Sequence, residues 1–306
     1  MVNTMSTTFG TILDDMKTSA KLAWKSMLSY FLANLGMLIV MVILVVIAAI
    51  PIALVAWAVL APFSEATMAA LSNWAEANPL LAGGIVLLVL IPIVSMFLVV
   101  SGSIYGMSHD LVTRGETKAE LAFSYFRRKF LSFAGTGAVL TIIVALPPVT
   151  AWGLTSYAMG YVITAPATYL LSAFTFVWVY LTAGLTSMVW PAVVSGKGVQ
   201  EAFKESFSLS IRYFDRVYGV LTVIVLLLAA TFGPIVIVAL AMAPFTPSVV
   251  MAFLPTLAGV GLYTVVMVFL WLLLFLPMVR IAWVKVYQEL TGGQVATQSV
   301  VDMPIV

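Results

Sequence analysis

The placement of charge constrains this chain more than any other feature. Four long windows, Ser26–Ser64, Ala77–His109, Phe130–Gly196 and Val217–Val279, contain no Asp, Glu, Lys or Arg. A charge at mid-bilayer costs about 2.5–3.5 kcal/mol on insertion scales, so such windows mark chain suited to hydrocarbon. One crossing takes about 20 residues as a helix. The first two windows hold one span each; the last two hold two each, joined by a tight neutral turn. The approximate spans are 29–58, 82–107, 131–152, 167–192, 217–242 and 251–279. The Pro147-Pro148 pair and the apolar segment around Tyr161 leave the boundaries of the third and fourth spans open. The first apolar run, from Met27 past Pro51, exceeds the roughly 7–15 residues of a secretory h-region and reads as a retained span.

Composition agrees. The chain is 63% hydrophobic and 8% charged, with a mean hydropathy of +1.14, against about a quarter charged for a soluble domain. A net charge of +2 is too small for a nucleic-acid binder. The absence of cysteine excludes disulfides, thiolate metal sites and a Cys nucleophile.

All 14 Lys and Arg lie before span 1, between spans 2 and 3, between spans 4 and 5, or after span 6; the opposite connections carry only Glu65 and Glu76. The positive-inside rule then makes both termini and both basic connections cytoplasmic. Trp24, Trp190 and Trp283 fall at the expected inner boundary and Trp57, Trp74 and Trp152 near the outer one, as interfacial belts require.

The segment "SGKGVQEAFKESFSLSIRYFDRVYGVL", Ser195 to Leu221, aligns with "RGETKAELAFSYFRRKFLSFAGTGAVL", Arg114 to Leu140, and with "DDMKTSAKLAWKSMLSYFLANLGML", Asp14 to Leu38. Phe203, Phe207, Ile211, Phe214 and Leu221 match Ala122, Phe126, Phe130, Phe133 and Leu140, and Ala20, Trp24, Leu28, Phe31 and Leu38. Steps of four, four, three and seven make one helical stripe with charges opposite it. Such a helix lies in the headgroup plane before turning into the bilayer. The expected fold is all-α: six spans in three parallel hairpin repeats, each led by a cytoplasmic amphipathic helix. The repeats run approximately 10–113, 114–194 and 195–293, with a tail at 294–306, in one membrane domain. Triplication and convergence of three similar hairpins both account for the match. The inward spans end near Gly115, Gly196 and Gly292, as helix C-termini do. Residues 64–78 read as an additional outer helix, started by Ser64 and ended by Pro79.

Chemistry is sparse. His109 beside Asp110, at the cytoplasmic end of span 2, is a proton relay, half of an acid/base pair, or a solvated loop pair. Arg280 is the charge nearest a span core and reads as a snorkelling anchor. Ser101, Ser103 and Tyr105 on span 2 and Thr182 and Thr186 on span 4 either line a narrow pore or pack helices. No Walker loop, dinucleotide fingerprint, HExxH or GxSxG occurs, and nothing points to a cofactor. The basic candidates for contact with anionic inner-leaflet headgroups, or with a protein partner or second copy, are Arg127, Arg128, Lys129, Lys204, Arg212 and Arg216.

The stretch "WPAVVSGKGVQEAFKESFSLSIRYFDRVYGVL" resembles a loose group of prokaryotic six-span proteins. The group includes the membrane domain attached to some glycerophosphoryl diester phosphodiesterases. Pro191, Ala192, Ala202, Ser206 and Leu209 fit its pattern, as does the Arg-Gly-Glu turn at Arg114 to Glu116. The resemblance implies a prokaryotic plasma-membrane protein; the soluble phosphodiesterase domain is absent, so no catalytic residue carries over. The expectation is a non-enzymatic structural, lipid-interacting or assembly protein, with a channel or facilitator for small neutral or hydrophobic molecules as the alternative.

Overall fold

The computed structural model describes residues 9–60, 64–242, 251 and 253–295, and its regular elements are helices throughout. Six helices are long and apolar enough to cross a membrane, so the chain is all-α with the elements of a multi-pass membrane protein. Helix α1 (Phe9–Lys25) leads through Ser26 into α2 (Met27–Leu60). Helix α3 (Glu65–Ala77) precedes α4 (Pro79–Arg114). Helix α5 (Ala119–Leu140) continues through a π turn, Thr141–Ala145, into α6 (Leu146–Ala158). Then come α7 (Ala165–Thr186), the short α8 (Val189–Val194), α9 (Val199–Arg212) and α10 (Phe214–Ala241). Helix α11 (Leu254–Leu270), a second π turn, Trp271–Phe275, and α12 (Leu276–Thr291) complete the order. The turn expected between spans 5 and 6 falls largely on residues 243–250, and most of the expected tail on 296–306; both lie outside the described residues.

Local chemistry sets several boundaries. The Ser64 Oγ accepts the Thr67 N–H at 3.2 Å and starts α3. Pro79 opens α4, where its missing N–H costs nothing. Gly115, Gly196 and Gly292 follow the ends of α4, α8 and α12 with φ of 79°, 108° and 73°, a conformation that glycine adopts freely.

The third span corrects the sequence boundary. It runs six residues beyond the expected end at 152, to Ala158. Each π turn immediately precedes a Leu-Pro step, Leu146-Pro147 or Leu276-Pro277. A proline inside a helix removes one N–H and crowds the carbonyl a turn earlier. The extra residue of the π turn absorbs that crowding, and the helix runs on.

Burial is uneven along the spans. At the end carrying the basic residues, Tyr30, Met37, Met107, Phe133, Val217 and Ile281 are fully sealed. At the other end Val46, Ile50, Leu81, Ile85 and Ile237 each keep more than half their surface exposed. Close backbone approach builds the sealed part. A Cβ on Gly102 would lie 2.5 Å from Trp190 Cζ3 and 2.9 Å from Phe133 Cδ1; Gly106 lies equally tight under Tyr125, and Gly184 under Tyr218. Helices in lipid gain little from burying apolar surface, so van der Waals fit around small residues carries the packing.

Candidate functional site

The most organised polar constellation sits inside the basic end. Arg216, at the start of α10, donates through Nη2 to Asp15 Oδ2 of α1 at 2.8 Å and also pairs with Glu289 of α12. Lys285 donates to Asp15 Oδ1 at 2.9 Å and reaches Glu289 Oε1 at 3.8 Å. Asp15 and Arg216 are only 4% and 7% exposed, so each depends on the other for its ionic form. Two carboxylates and two cations balance, and the cluster ties the first helix to the fifth and sixth spans. The alignment of amphipathic helices misses it. One signal was available: Asp15 shares the face of α1 that carries Ile12, Met16, Ser19 and Leu22, and a charge on a buried face needs a partner.

The buried face of α9 also differs from the aligned stripe. Ala202, Phe203, Ser206 and Ser210 are buried, Phe207 is half-buried, and Ile211 and Phe214 are exposed. On α1, Ser19 and Ala23 are buried whereas Trp24 is exposed, as is Leu28 at the start of α2. The small and hydroxylated positions admit a neighbouring backbone. Ser206 Oγ donates to Leu185 O at 2.6 Å and accepts the Met188 N–H at 3.2 Å; Ser210 Oγ donates to Gly184 O at 2.9 Å. These bonds satisfy the backbone where α7 breaks before α8. Ala202 and Ser206, which carry the family resemblance, thus make packing contacts, and Pro191 and Ala192 are buried in α8.

Of the six basic candidates, Arg127, Arg128, Lys204 and Arg212 are exposed. Arg128 stacks 5.4 Å above the Tyr125 ring and Arg212 5.4 Å above that of Tyr213. Two candidates turn inward. Arg216 joins the ion cluster, and Lys129 Nζ donates to Val193 O at 2.6 Å and Val194 O at 3.0 Å. Lys129 therefore caps the C-terminal carbonyls of α8, and α5 bends at this residue.

His109 and Asp110 lie in the last turns of α4, which corrects the loop placement. Asp110 is buried; its Oδ1 accepts from Tyr125 Oη at 3.4 Å and lies 3.6 Å from Arg114 Nε. His109 Nδ1, 3.9 Å from that carboxylate oxygen, is buried without a hydrogen-bond partner among the described residues.

The span hydroxyls are used locally. Ser103 donates to Val99 O, Thr182 to Trp178 O and Thr186 to Thr182 O, at 2.7–3.0 Å. Tyr105 is buried with its ring stacked on Trp190, and Ser101 is half-buried. An apolar groove of about 570 Å³ opens sideways between α7 and α10, lined by Trp152, Phe176, Tyr180, Leu221 and Leu228 among others. Among the described residues no three His, Asp or Glu side chains are placed to hold a metal ion. No protein-family model, curated protein or solved structure matches the chain.

Proposed function

We propose that the protein is a non-enzymatic, lipid-interacting membrane protein that works through the helices of its basic end, and that this end is cytoplasmic. In this reading the chain is a plasma-membrane protein of a prokaryote, built from three parallel hairpins each led by an amphipathic helix. One observation carries the reading. Where α1 passes into α2 and α9 into α10, exposed cations adjoin exposed large apolar side chains: Lys25 beside Trp24 and Leu28, and Arg212 beside Ile211 and Phe214. A surface that pairs Lys and Arg with Trp, Leu and Phe suits the boundary between headgroups and acyl chains. The local hydrogen bonds of Ser103, Thr182 and Thr186 also favour lipid contact over a polar pore.

The test uses full-length protein in liposomes and quenching of its tryptophans by brominated phosphatidylglycerol or brominated phosphatidylcholine. The wild type should prefer the anionic lipid. Changing Arg127, Arg128, Lys204 and Arg212 together to Gln should lower that preference, because each cation near such a surface contributes about 1 kcal/mol. The difference should shrink at 1 M salt, where the Debye length is about 3 Å. Equal quenching of the wild type by both lipids at low salt would remove the reading. Solute flux blocked by Ser101→Trp would replace it with a channel.

A further inference from the structure

Four of the fourteen basic residues are not exposed, and three of them have evident partners: Lys129 has the α8 carbonyls, and Arg216 and Lys285 have carboxylates. Arg280 is the fourth. It stands on the second turn of α12, just past the π turn and Pro277. Among the described residues its one hydrogen bond is from Nη1 to Asn34 Oδ1 of α2, at 3.3 Å, and no carboxylate pairs with it. Asn34 is itself held in place, because its Nδ2 donates to the carbonyl of Leu272 in the π turn at 3.4 Å. Tyr30 and Tyr105 are the neighbouring phenols, but Tyr30 Oη is occupied by Ser108 Oγ at 2.9 Å. A guanidinium offers five N–H donors in a planar fork. One is used here, and the residue is half-buried rather than sealed.

A lone cation this far along a span is costly unless an anion meets it. Arg280 lies five residues, roughly 7 Å along the helix, to the apolar side of Lys285. The adjoining surface is apolar and open: Leu35, Leu38 and Leu272 are each more than 40% exposed. An acidic protein segment would bring polar backbone into that apolar setting. A phospholipid brings both matching parts, an oxyanion for the fork and chains for the leucines. Arginine and phosphate meet through two parallel N–H···O bonds, which one Asn contact leaves free to form. We infer that Arg280, oriented by Asn34, binds the phosphate of an anionic phospholipid seated between α2 and the sixth span. This site is separate from the exposed helices, and it stands or falls without them.

The test is thermal unfolding of lipid-stripped, full-length protein in dodecyl maltoside with 1 M NaCl, which screens surface attraction. The additions are phosphatidylglycerol, diacylglycerol or inorganic phosphate. Phosphatidylglycerol should raise the wild-type midpoint and diacylglycerol should not. Arg280→Gln should weaken the apparent affinity at least about tenfold, as loss of a charge-assisted pair of hydrogen bonds does. Arg280→Lys should restore only part of it, because Lys has no fork. Without lipid, Arg280→Gln should unfold at the wild-type temperature or above, since it removes an unpaired cation. A midpoint raised by inorganic phosphate in the wild type and not in Arg280→Gln supports the same site with a soluble source. Equal stabilisation of wild type and Arg280→Gln by phosphatidylglycerol overturns the inference. So does a lower Arg280→Gln midpoint without lipid combined with an unchanged lipid shift, which marks the Asn34 contact as merely structural.

Discussion

Gly83 and Gly102 stand on the same helix and have opposite surroundings. A Cβ at Gly102 would press into Trp190 and Phe133, whereas one at Gly83 would meet nothing within 4 Å. The contrast holds along the bundle. Gly106, Gly137, Gly184 and Gly219, toward the basic end, face side chains at 3.0 Å or less, while Gly84, Gly153, Gly233, Gly259 and Gly261, toward the other end, face open space. Hydropathy does not distinguish the two halves of a span, because Leu and Val suit both lipid and a protein neighbour. What distinguishes them is whether small residues meet large ones across helices. Specific structure gathers at the basic end; the far halves behave as hydrocarbon-soluble rods.

Three substitutions probe the contrast, each read as unfolding in detergent. The largest effect belongs to the ion cluster. Asp15→Asn leaves Arg216 and Lys285 to share Glu289 and should cost about 3–5 kcal/mol, the usual loss when one partner of a buried ion network is removed. Asp14→Asn, exposed and one residue away, should stay within about 0.5 kcal/mol. Equal effects from both would show that the cluster does not hold α1. Next is Gly102→Ala, expected to destabilise by about 1–3 kcal/mol through overpacking. A midpoint unchanged in Gly102→Ala would mean that Trp190 moves freely and that the seal is loose. The smallest change is Gly83→Ala, which should stabilise by up to about 1 kcal/mol through helix propensity alone. If it destabilises instead, the far half is packed against something after all.

How much of this was legible in the sequence follows from the range of each interaction. The six apolar helices were readable because hydrocarbon penalises charge residue by residue, whatever lies across the bundle. Ser64 and the glycines at 115, 196 and 292 were readable because caps act within one turn. The π turn ahead of Pro147 and the end of that span at Ala158 were not. A proline states that the ladder is broken, but whether the helix ends or bulges is settled by its neighbours. The aligned apolar stripe marked amphipathic helices, yet Ser206 and Ser210, counted as polar, make the contacts with α7. Hydroxyls were invisible as core because their acceptors, Leu185 O and Gly184 O, are carbonyls freed by a break on another helix. The inward turn of Lys129 and Arg216 was equally hidden, since a net charge count cannot say which cations are already satisfied.

The cluster that joins α1 to α12 has a consequence for synthesis. Asp15 and Lys285 are separated by 270 residues. A ribosome working at about 5–20 residues per second takes roughly 15–50 s to make that interval. For that time Asp15 has only half its counter-charge at most, and the amphipathic leader it belongs to has no sixth span to dock on. Helix α1 is thus made long before it can be locked. Closure of the cluster reports that the sixth span has been made, and a chain stalled before Lys285 carries an α1 whose Asp15 is still unsettled.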